Sequence, residues 1–427
     1  MSATAQARTG RVLATHALAA TAMSLPWPLL LVMVADTTDS GTALGLAAAA
    51  RLAPYVALSW WVGRLADRHS RDRIVRATLL ARLALLAGVA GAIAAQLPVL
   101  AIALAALAVA AGTPAYPALA AGMPRLAGSG SERATELLVT IEVASFVVGP
   151  AVGGLLLLAP VAVGPVAVAL AGAAVACYAG VRQPRPAPVA VGRRAPLDLS
   201  SSSLRSALLA VMLVNAVGSG AVVALLPLAR AQWSGSNVDG VYGLATAFLG
   251  FGALGGPLLS RSGRRARQPI APGLLLVGGA LAAVAVSPTA WWAAVPLVLA
   301  GAAAVQVEAA ATETIQREAG DDHSAGVLGL ADTLMVTAGL VGAVVTPVLA
   351  DLLGAVPLLA LLGLLSALPV LVSAAGRRST RSLSGNVVVP SPRPAGDDAV
   401  DYPTTAPRST TAAGRARTVR SASGSAS

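Results

Sequence analysis

Apolar stretches of about 20 residues, the length that spans a bilayer, recur along this chain and constrain its fold more than any other feature. Within lipid the backbone must satisfy its own hydrogen bonds. The stretches are rich in Ala, Leu, Gly and Val, without the alternation that is typical of strands. They therefore predict membrane-spanning α-helices. We place twelve of them at residues 12–34, 42–62, 74–95, 98–122, 134–158, 161–181, 205–229, 240–260, 269–287, 290–315, 325–350 and 354–375.

Composition excludes a soluble protein of this length. Of the 427 residues, 56% are hydrophobic and only 11% are charged, whereas soluble domains carry about 25% charged residues. The formal net charge is +11, and all 30 basic residues are arginine. A basic chain can indicate nucleic-acid binding. These arginines lie between the apolar stretches and in the C-terminal region, so we interpret them as determinants of topology and expect no nucleic-acid partner. The single cysteine, Cys177, permits no internal disulfide.

Loop charges divide between two faces of the membrane. If the N-terminus is cytoplasmic, the loops on that side carry arginines, namely Arg64, Arg68, Arg71, Arg73, Arg125, Arg133, Arg182, Arg185, Arg193, Arg194, Arg261, Arg264, Arg265, Arg267 and Arg317. The opposite loops carry four acids and one arginine: Asp36, Asp39, Asp239, Asp351 and Arg230. This asymmetry follows the positive-inside rule. It predicts a multi-pass protein of the plasma or inner membrane with both termini in the cytoplasm.

Composition also divides the chain into four parts. Residues 1–181 and 205–376 each hold six predicted helices, and the Pro/Arg/Ser-rich residues 182–204 form a cytoplasmic linker between them. Residues 377–427 have almost no apolar runs and cannot bury enough surface to fold, so we predict a disordered cytoplasmic tail. The first apolar run, 12–34, is too long for the hydrophobic region of a signal peptide, so we retain it as a helix.

Two patterns repeat between the halves. The loop that begins at Gly63 and the one that begins at Gly256 both read Gly-x-x-x-(Asp/Ser)-Arg-x-(Ser/Gly)-Arg, at an offset of 193 positions. At an offset of 190 positions, helix 5 corresponds to helix 11 through the pairs Glu142 with Asp332 and Gly149 with Gly339. Repeated six-helix units are typical of secondary transporters, which place their binding site at the interface between the repeats.

These motifs resemble those of the major facilitator superfamily. The first loop is similar to that family's motif A, with departures at Ser70 and Asp72 and with matching residues at Gly63, Asp67, Arg68, Arg71 and Arg73. Helix 5 resembles motif C of the drug/proton antiporters, although Ser145 replaces the leading glycine, through Gly149, Pro150, Gly153 and Gly154. Helix 4 lacks the arginine of motif B, so the pattern is similar to the enterobactin-exporter and macrolide-efflux branch.

The resemblance implies an all-α membrane protein of two pseudo-symmetric six-helix bundles. It implies a monomer without a cofactor that moves small molecules and protons by alternating access. It places the Asp67 carboxylate against the N-terminus of helix 11, near Ser324, where unpaired N–H groups favour negative charge and would latch the cytoplasmic side. The arginines of motif A can pair with loop acids or lipid phosphates, or can simply anchor the topology.

In motif C, glycines allow close helix approach and proline removes a backbone hydrogen bond. We therefore expect Gly149, Pro150 and Gly153 to bend helix 5 and to pack it tightly on the opposing half. Generic glycine packing is the alternative.

Five charged residues are predicted to lie inside the bilayer, where charge is costly and indicates function. They are Arg51, Arg82, Glu142, Glu308 and Asp332. Helix geometry gives the two arginines and Glu142 similar depths, so an arginine can pair with Glu142. We rank the candidates for proton coupling as Glu142, Asp332 and then Glu308. A static structural ion pair is the alternative.

Family geometry places helices 1, 4, 7 and 10 around the transport cavity. The polar and aromatic candidates on them are Ser24, Trp27, Thr113, Tyr116, Asn215, Ser219 and Gln306. Aromatic residues make up only 3% of the chain, which favours an amphipathic or apolar cargo. We predict no metal site and no catalytic constellation, because the histidines are scattered: His16, His69 and His323. The G-x-G-x-x-G pattern at 250–255 is typical of dinucleotide binding only when it follows a strand. Here it lies in an apolar helix without a preceding strand, so we do not predict dinucleotide binding.

Export of a small molecule by proton antiport is the leading hypothesis. Uptake of a small metabolite by the same fold is the second, since motif C argues against it but the missing motif B weakens that argument. A membrane sensor or scaffold is the third, and it would need neither the repeated loop motif nor five intramembrane charges. An intramembrane enzyme has the least support.

Overall fold

The computed structural model is α-helical in the part of the chain that it describes and contains no strand there. It describes the backbone of residues 3–68, 70–127, 131–181, 201–233, 237–260 and 270–384. The side chains of 3–5, 59–68, 121, 124–125, 131–133, 136, 139, 143, 146, 256–260, 316, 319–329 and 372–384 lie outside the description. The predicted linker up to residue 200 and the predicted tail beyond residue 384 also lie outside it.

Eight α-helices form the first half and five form the second within the described ranges. The first half comprises α1 Ala3–Ser24, α2 Trp27–Thr37, α3 Gly41–Arg68, α4 Arg71–Ala94, α5 Pro98–Gly112, α6 Ala115–Ala127, α7 Ser131–Leu155 and α8 Val163–Tyr178, with 3-10 turns at Leu156–Leu158 and Pro160–Ala162. The second half comprises α9 Ser202–Gln232, α10 Val238–Ser260, α11 Ile270–Ala285, α12 Ala290–Leu353 and α13 Ala355–Ser384.

These helices supply the twelve predicted spans. Ten segments of the described chain are long and apolar enough to cross a membrane, and two shorter apolar helices, Ile270–Ala285 and Ala355–Leu371, lie where helices 9 and 12 are predicted. Large apolar side chains face outward, including Val161 at 87% and Val99 at 80% exposure. Such a surface suits lipid contact, because lipid tails are as apolar as the side chains themselves. The all-α membrane fold is therefore confirmed.

Two predicted spans are interrupted, and the prediction of continuous helices there is wrong. The first span starts at Ala3, nine residues earlier than predicted, and breaks between α1 and α2 at Leu25 and Pro26. The fourth breaks between α5 and α6 at Thr113 and Pro114. Proline has no N–H for the helical ladder and its ring clashes with the preceding turn. Pro150, by contrast, lies inside α7 without ending it.

α12 is assigned as one helix of 64 residues, but its contacts divide it into two arms that run in opposite directions. The first arm, Ala290–Ile315, runs antiparallel to α9. Near the C-terminal end of α9, Trp233 Nε1 donates a hydrogen bond of 2.8 Å to Ser287 O, shortly before α12 begins. Near the N-terminal end of α9, Ile315 shares a hydrophobic cluster with Leu204.

The second arm, Leu330–Leu353, returns along α9 in the parallel direction. Ala331 belongs to the same cluster as Leu204 and Ile315. Farther along, Gly342 packs against the backbone of Ala216. The two arms therefore correspond to the separate helices 10 and 11 of the prediction. The backbone between them is also helical, where the sequence predicts a loop.

Close helix crossings repeat within the two halves. In the first half, α7 crosses α1 where Gly149 meets Ser24. In the second half, the second arm of α12 crosses α9 where Gly339 meets Ser219. Gly149 and Gly339 are the glycines that correspond in the sequence repeat, so the repeat has a structural counterpart.

Crossings between the halves follow the same relation. α7 meets α10 where Gly154 lies against Gly243, and the second arm of α12 meets α3 where Val344 lies against Gly45. Gly154 and Val344 are again 190 positions apart. Each half thus presents its fifth span to the second span of the other half, which is the contact pattern of two pseudo-symmetric bundles.

Candidate functional site

A small cavity lies among the helices of the first half. α1, α3, α4 and α7 bound it together with the break between α5 and α6. Its lining comprises His16, Ala20, Met23, Ser24, Tyr55, Arg82, Gly112, Thr113, Tyr116, Glu142 and Ser145. Three of the seven predicted cavity residues, Ser24, Thr113 and Tyr116, are therefore brought together with Glu142.

His16 makes a close contact with Glu142 in this cavity. His16 lies on α1 and is 2% exposed, and its Nε2 lies 2.6 Å from Glu142 Oε2. The two atoms are in close contact, but their geometry is not that of a linear hydrogen bond. Sequence reasoning misses this pair, because 126 positions separate the two residues. The only available signal is a polar residue inside the first apolar run.

Arg82 is the second charged group of the cavity. It interacts electrostatically with Glu142, but His16 rather than an arginine makes the close contact that we expected for Glu142. The side chain of Arg82 is 5% exposed and packs on Gly112, where a Cβ atom would collide with the guanidinium group. Nε and Nη1 of Arg82 are buried without a hydrogen-bond partner in the described part of the chain.

The other two candidate acids approach from the second half. Asp332, in the second arm of α12, interacts electrostatically with Glu142, its counterpart in the repeat. Glu308, in the first arm, lies near Asp332 and near the side chain of Asn215. Asn215 also donates from Nδ2 to Val211 O at 3.0 Å. The three acids therefore form one electrostatic group that links the halves.

Arg51 lies one helical turn before Tyr55 on α3. Its guanidinium group lies near Tyr55 and near Tyr242 of α10. Arg51, a residue of the first half, therefore lies close to Tyr242 of the second half.

The remaining cavity candidates lie elsewhere. Trp27 is 2% exposed and belongs to the main hydrophobic core. Ser219 packs against Gly339 at the crossing of α9 with α12. Gln306 is half-buried in the first arm of α12. An amphipathic tryptophan in an apolar run fits either a core or a cavity, so its sequence position does not decide between them.

The motif C glycines face two different partners. Gly149 and Gly153 pack on the end of α1 and the break that follows it, and a Cβ atom at Gly153 would meet the carbonyl oxygen of Leu25. Gly154 meets Gly243 of α10 instead. Only the last glycine therefore contacts the opposing half, whereas the first two hold helices of their own half together.

The motif A residues lie where α3 ends and α4 begins. The side chains of Gly63, Asp67 and Arg68 lie outside the described part of the chain, and so does the predicted contact of Asp67 with helix 11. Arg71 and Arg73 occupy the first turn of α4, and Arg73 is exposed.

Asp72 departs from the motif A pattern, and its contacts supply a reason. It accepts a hydrogen bond from the Tyr178 hydroxyl at 3.2 Å and pairs with Arg76 at 3.0 Å. Arg76 also donates from Nη2 to Val181 O at 2.9 Å. Arg11 of α1 donates to two further carbonyl oxygens at the same end of α8. Together these contacts tie α1 and α4 to the C-terminal end of α8.

The halves also meet at the acidic end, which we define as the end of the bundle that carries Asp36 and Asp351. Asp351 Oδ2, near the end of α12, accepts a hydrogen bond of 2.7 Å from the backbone N–H of Gly41, the first residue of α3. Arg230 of α9 donates from Nη1 to Ala35 O at 2.6 Å and pairs with Asp36. Each contact joins a helix of one half to a helix of the other.

Comparisons with known proteins identify the family. The chain matches the Major Facilitator Superfamily over residues 12–343. No curated protein sequence matches it significantly. A bacterial homolog of the human lysosomal transporter Spinster, in an inward-facing and unoccupied conformation, aligns with a TM-score of 0.61 and 14% identity over 82% of this chain and 83% of that chain.

Two further solved structures are similar in fold. The human organic anion transporter MFSD10 (TETRAN) aligns with a TM-score of 0.59 and 17% identity, over 86% of this chain and 98% of that one. A POT family transporter in complex with a thioalcohol-conjugated peptide aligns with a TM-score of 0.65 and 10% identity, over 87% of this chain and 96% of that one. The family match does not support a sensor or scaffold without transport. The chain belongs to the Major Facilitator Superfamily and is a multi-pass membrane transporter, not an enzyme.

Proposed function

We propose that this transporter exports a small, amphipathic or apolar molecule by proton antiport with alternating access. The observation that carries the proposal is that Asp332 of the second half lies within electrostatic range of both Glu142 of the first half and Glu308. Charges at this depth are costly and persist where function requires them. An acid that both halves can approach can accept a proton from one side and release it to the other.

Sequence motifs support the direction of transport. Gly149, Pro150, Gly153 and Gly154 match motif C of the drug/proton antiporters, and the missing motif B arginine favours the enterobactin-exporter and macrolide-efflux branch. The scarcity of aromatic residues favours an apolar or amphipathic cargo. The loop charges support a location in the plasma or inner membrane with both termini in the cytoplasm, and the family resemblance supports a monomer.

Two carboxylates can act as alternating latches on one helix pair. Asp351 caps the N-terminus of α3 at the acidic end, which the loop charges place outside the cell. Motif A puts Asp67, at the other end of α3, against the start of helix 11. Helix N-termini carry unpaired N–H groups and a partial positive charge, which suit a carboxylate. Closure at the acidic end then belongs to an inward-facing state, and closure at Asp67 to an outward-facing one.

Uptake of a small metabolite is the second candidate function. Motif C argues against uptake, but the missing motif B arginine weakens that argument, because a standard proton relay for export is then incomplete.

A dye- and drug-efflux screen in a pump-deficient host tests the proposal. Expression should lower accumulation of at least one fluorescent dye, and a protonophore should abolish the difference. Glu142→Gln should slow efflux by about tenfold or more, or ~1.4 kcal/mol in rate, because the side chain can no longer carry a proton. Glu313→Gln is the matched control, since Glu313 is 71% exposed and pairs with its neighbour Arg317. Accumulation that rises on expression would instead establish uptake.

A further inference from the structure

We propose that Arg82 binds the anionic group of the transported molecule, and that the cargo is therefore an amphipathic monoanion with an apolar body. The inference rests on the proposed function and narrows its substrate class. It assigns the recognition of charge to the first half, because Arg82 lies on α4 and lines the cavity of that half.

Arg82 brings hydrogen-bond donors into the cavity that the described fold does not use. Its side chain is 5% exposed, and Nε and Nη1 are buried without a hydrogen-bond partner in the described part of the chain. Arginine keeps its positive charge in proteins and offers five N–H donors but no acceptor. Leaving a buried donor unpaired costs stability, and a charged donor costs more than a neutral one. A buried group in this condition calls for an explanation, and an anion that accepts these hydrogen bonds supplies one.

Other arginines of the chain have carboxylate partners where Arg82 has none. Arg76, Arg230 and Arg317 are partly exposed, and each pairs with a carboxylate group. Exposed ion pairs of this kind contribute little to stability, because water solvates both charges well. The buried guanidinium of Arg82 has the greater need of a partner, and a bound ligand can meet that need.

Glu142 does not meet this need. It lines the same cavity and lies within electrostatic range of Arg82, but it accepts no hydrogen bond from Nε or Nη1 of Arg82. The close contact of Glu142 is with His16 instead, at 2.6 Å between Oε2 and Nε2. The lining therefore contains a carboxylate that contacts another side chain and a guanidinium whose donors remain for a ligand.

Two hydroxyl groups of the lining donate their hydrogens elsewhere. Thr113 Oγ1 donates to Val109 O at 3.0 Å, and Ser145 Oγ donates to Glu142 O at 2.7 Å. A hydroxyl group has a single hydrogen to give, so neither can donate to an anion at the same time. Hydrogen bonds from a charged donor to a charged acceptor are also the stronger ones, which makes Arg82 the group of this lining that is best suited to an anion.

Gly112 determines where the guanidinium group lies. A Cβ atom at Gly112 would stand 2.0 Å from Nε and 2.1 Å from Nη2 of Arg82, so the group can occupy this position only beside a glycine. Gly112 is the last residue of α5, and the break at Thr113 and Pro114 follows it. Because Nε and Nη2 are turned towards Gly112, we assign Nη1, on the other side of the planar group, to the ligand.

The size of the cavity limits the part of the cargo that enters it. Its volume of about 10 Å³ leaves room for about one water-sized group, such as a carboxylate oxygen. The apolar body of the cargo therefore needs the opening that alternating access provides. Ala20 and Met23 add apolar surface to the lining, which suits the part of the cargo next to the charged group.

The charge of the cavity favours a single negative charge on the cargo. Arg82 and an ionised Glu142 sum to zero, so a monoanion adds one net charge and a phosphate dianion adds two. Burial of uncompensated charge is costly. A carboxylate therefore fits the cavity better than a phosphate does.

Binding of probes that differ only in their head group tests the inference. The full chain in detergent micelles is titrated with pyrenebutyrate, pyrenebutanol and pyrenebutylamine. Energy transfer from tryptophan to pyrene is the signal, and protein-free micelles are the blank. We expect the carboxylate to bind about tenfold or more tightly than the alcohol, because hydrogen bonds between charged groups contribute at least that much. Equal affinities for the three probes, or a preference for the amine, would overturn the inference.

Substitutions at Arg82 and Gly112 locate the effect. Arg82→Gln should remove the preference for the carboxylate, and Arg82→Lys should retain part of it because the charge remains. Gly112→Ala should weaken carboxylate binding by about tenfold and leave alcohol binding unchanged, since its methyl group displaces the guanidinium without removing the charge. Gly91→Ala is the matched control, because a Cβ atom at Gly91 of α4 meets nothing within 4 Å.

A carboxylate preference that survives Arg82→Gln overturns the inference. If that variant does not fold, the head-group series on the parent protein and on Gly112→Ala decides the question. Sodium phosphate and sodium chloride should not displace pyrenebutyrate at concentrations comparable with that of the probe. Displacement by either salt at such concentrations would show a site for a free inorganic ion and would overturn the assignment to the cargo.

Efflux measurements separate this inference from the proposed function. Preferential binding of the carboxylate by a protein that supports no efflux would remove the proposed export and retain the Arg82 site. Efflux of dyes whatever their charge, unchanged in Arg82→Gln, would retain the export and remove the inference.

Discussion

At Gly154, bare backbone allows α7 and α10 to cross more closely than any side chain would permit. An added Cβ atom there would stand 2.5 Å from the carbonyl oxygen of Gly243, which cannot rotate away as a flexible side chain can. Membrane helices lack a hydrophobic drive to associate, so close packing of small residues supplies much of their attraction. The contact joins the halves, and its geometry limits how they move past each other.

Gly154→Ala should therefore both destabilise the protein and impair transport. Overpacking of a tight contact costs about 1–3 kcal/mol, and we expect a lower thermal unfolding midpoint in detergent together with slower dye efflux at normal membrane insertion. Gly172→Ala is the matched control, because a Cβ atom at Gly172 of α8 meets nothing within 4 Å. Equal behaviour of the two variants would show that the crossing tolerates a methyl group.

Single residues of the site were predictable only in part from the sequence. Glu142 stands out because an acid in an apolar run is costly, whatever its neighbours are. The partner of Glu142 does not, since nothing local connects it to His16. The sequence does not indicate a role for Gly112 either. The guanidinium group of Arg82 packs on Gly112 because of how α4 packs against α5.

At the scale of elements, a carboxylate of one half caps a helix of the other. Asp351 accepts the N–H of Gly41, one of the unpaired donors at the start of α3. α3 is therefore completed by a residue 310 positions away, and separation of the halves at the acidic end leaves that donor to water.

Asp351→Ala should remove this cap. Loss of an N-terminal cap costs about 0.5–2 kcal/mol, and we expect a thermal unfolding midpoint that falls by the corresponding amount. Asp39→Ala tests the specificity of the effect, because Asp39 is an exposed carboxylate only two residues before Gly41. An Asp39→Ala protein as unstable as the Asp351→Ala protein would point to general surface charge instead.

The helices were predictable from apolar length, but their interruptions were not. Pro54 and Pro150 remain inside α3 and α7. The two breaks occur where a second proline follows within three positions, at Pro26 with Pro28 and at Pro114 with Pro117. One missing N–H can be accommodated by neighbouring helices, whereas two in the same turn leave too few hydrogen bonds to hold it. A single-residue rule for proline therefore fails here.

At the scale of the whole molecule, the first turns of α3 pack against the second arm of α12. Gly41 and Gly45 contact Pro347 and Val344 of that arm, and the sequence places Asp67 at the opposite end of α3. If the halves rock against each other, the two ends of this pair cannot both be closed. The sequence repeat predicts the two-bundle architecture. It does not predict which end of the helix pair is closed in this structure, which follows from contacts such as that of Asp351 with Gly41.

Variants at the two ends should therefore have opposite effects on access to the cavity. In a Cys177→Ser background, Thr113→Cys places one thiol on the cavity lining. Asp351→Ala should raise its labelling by a membrane-impermeant maleimide from outside, and Asp67→Asn should lower it, each by about threefold to tenfold for a shift of ~0.7–1.4 kcal/mol between the states. The double variant should return towards the parent. Changes in the same direction would contradict alternating latches.

The hydrogen bonds that Arg11 and Arg76 make to the end of α8 affect how the first half can move. The chain leaves that half after Val181, whose carbonyl oxygen is held by Arg76 of α4, while Arg11 of α1 grips the carbonyls just before it. A force that acts on the chain after Val181 is therefore shared by α1, α4 and α8. It does not act on the last turn of α8 alone. We therefore expect these three helices to move together as one rigid body.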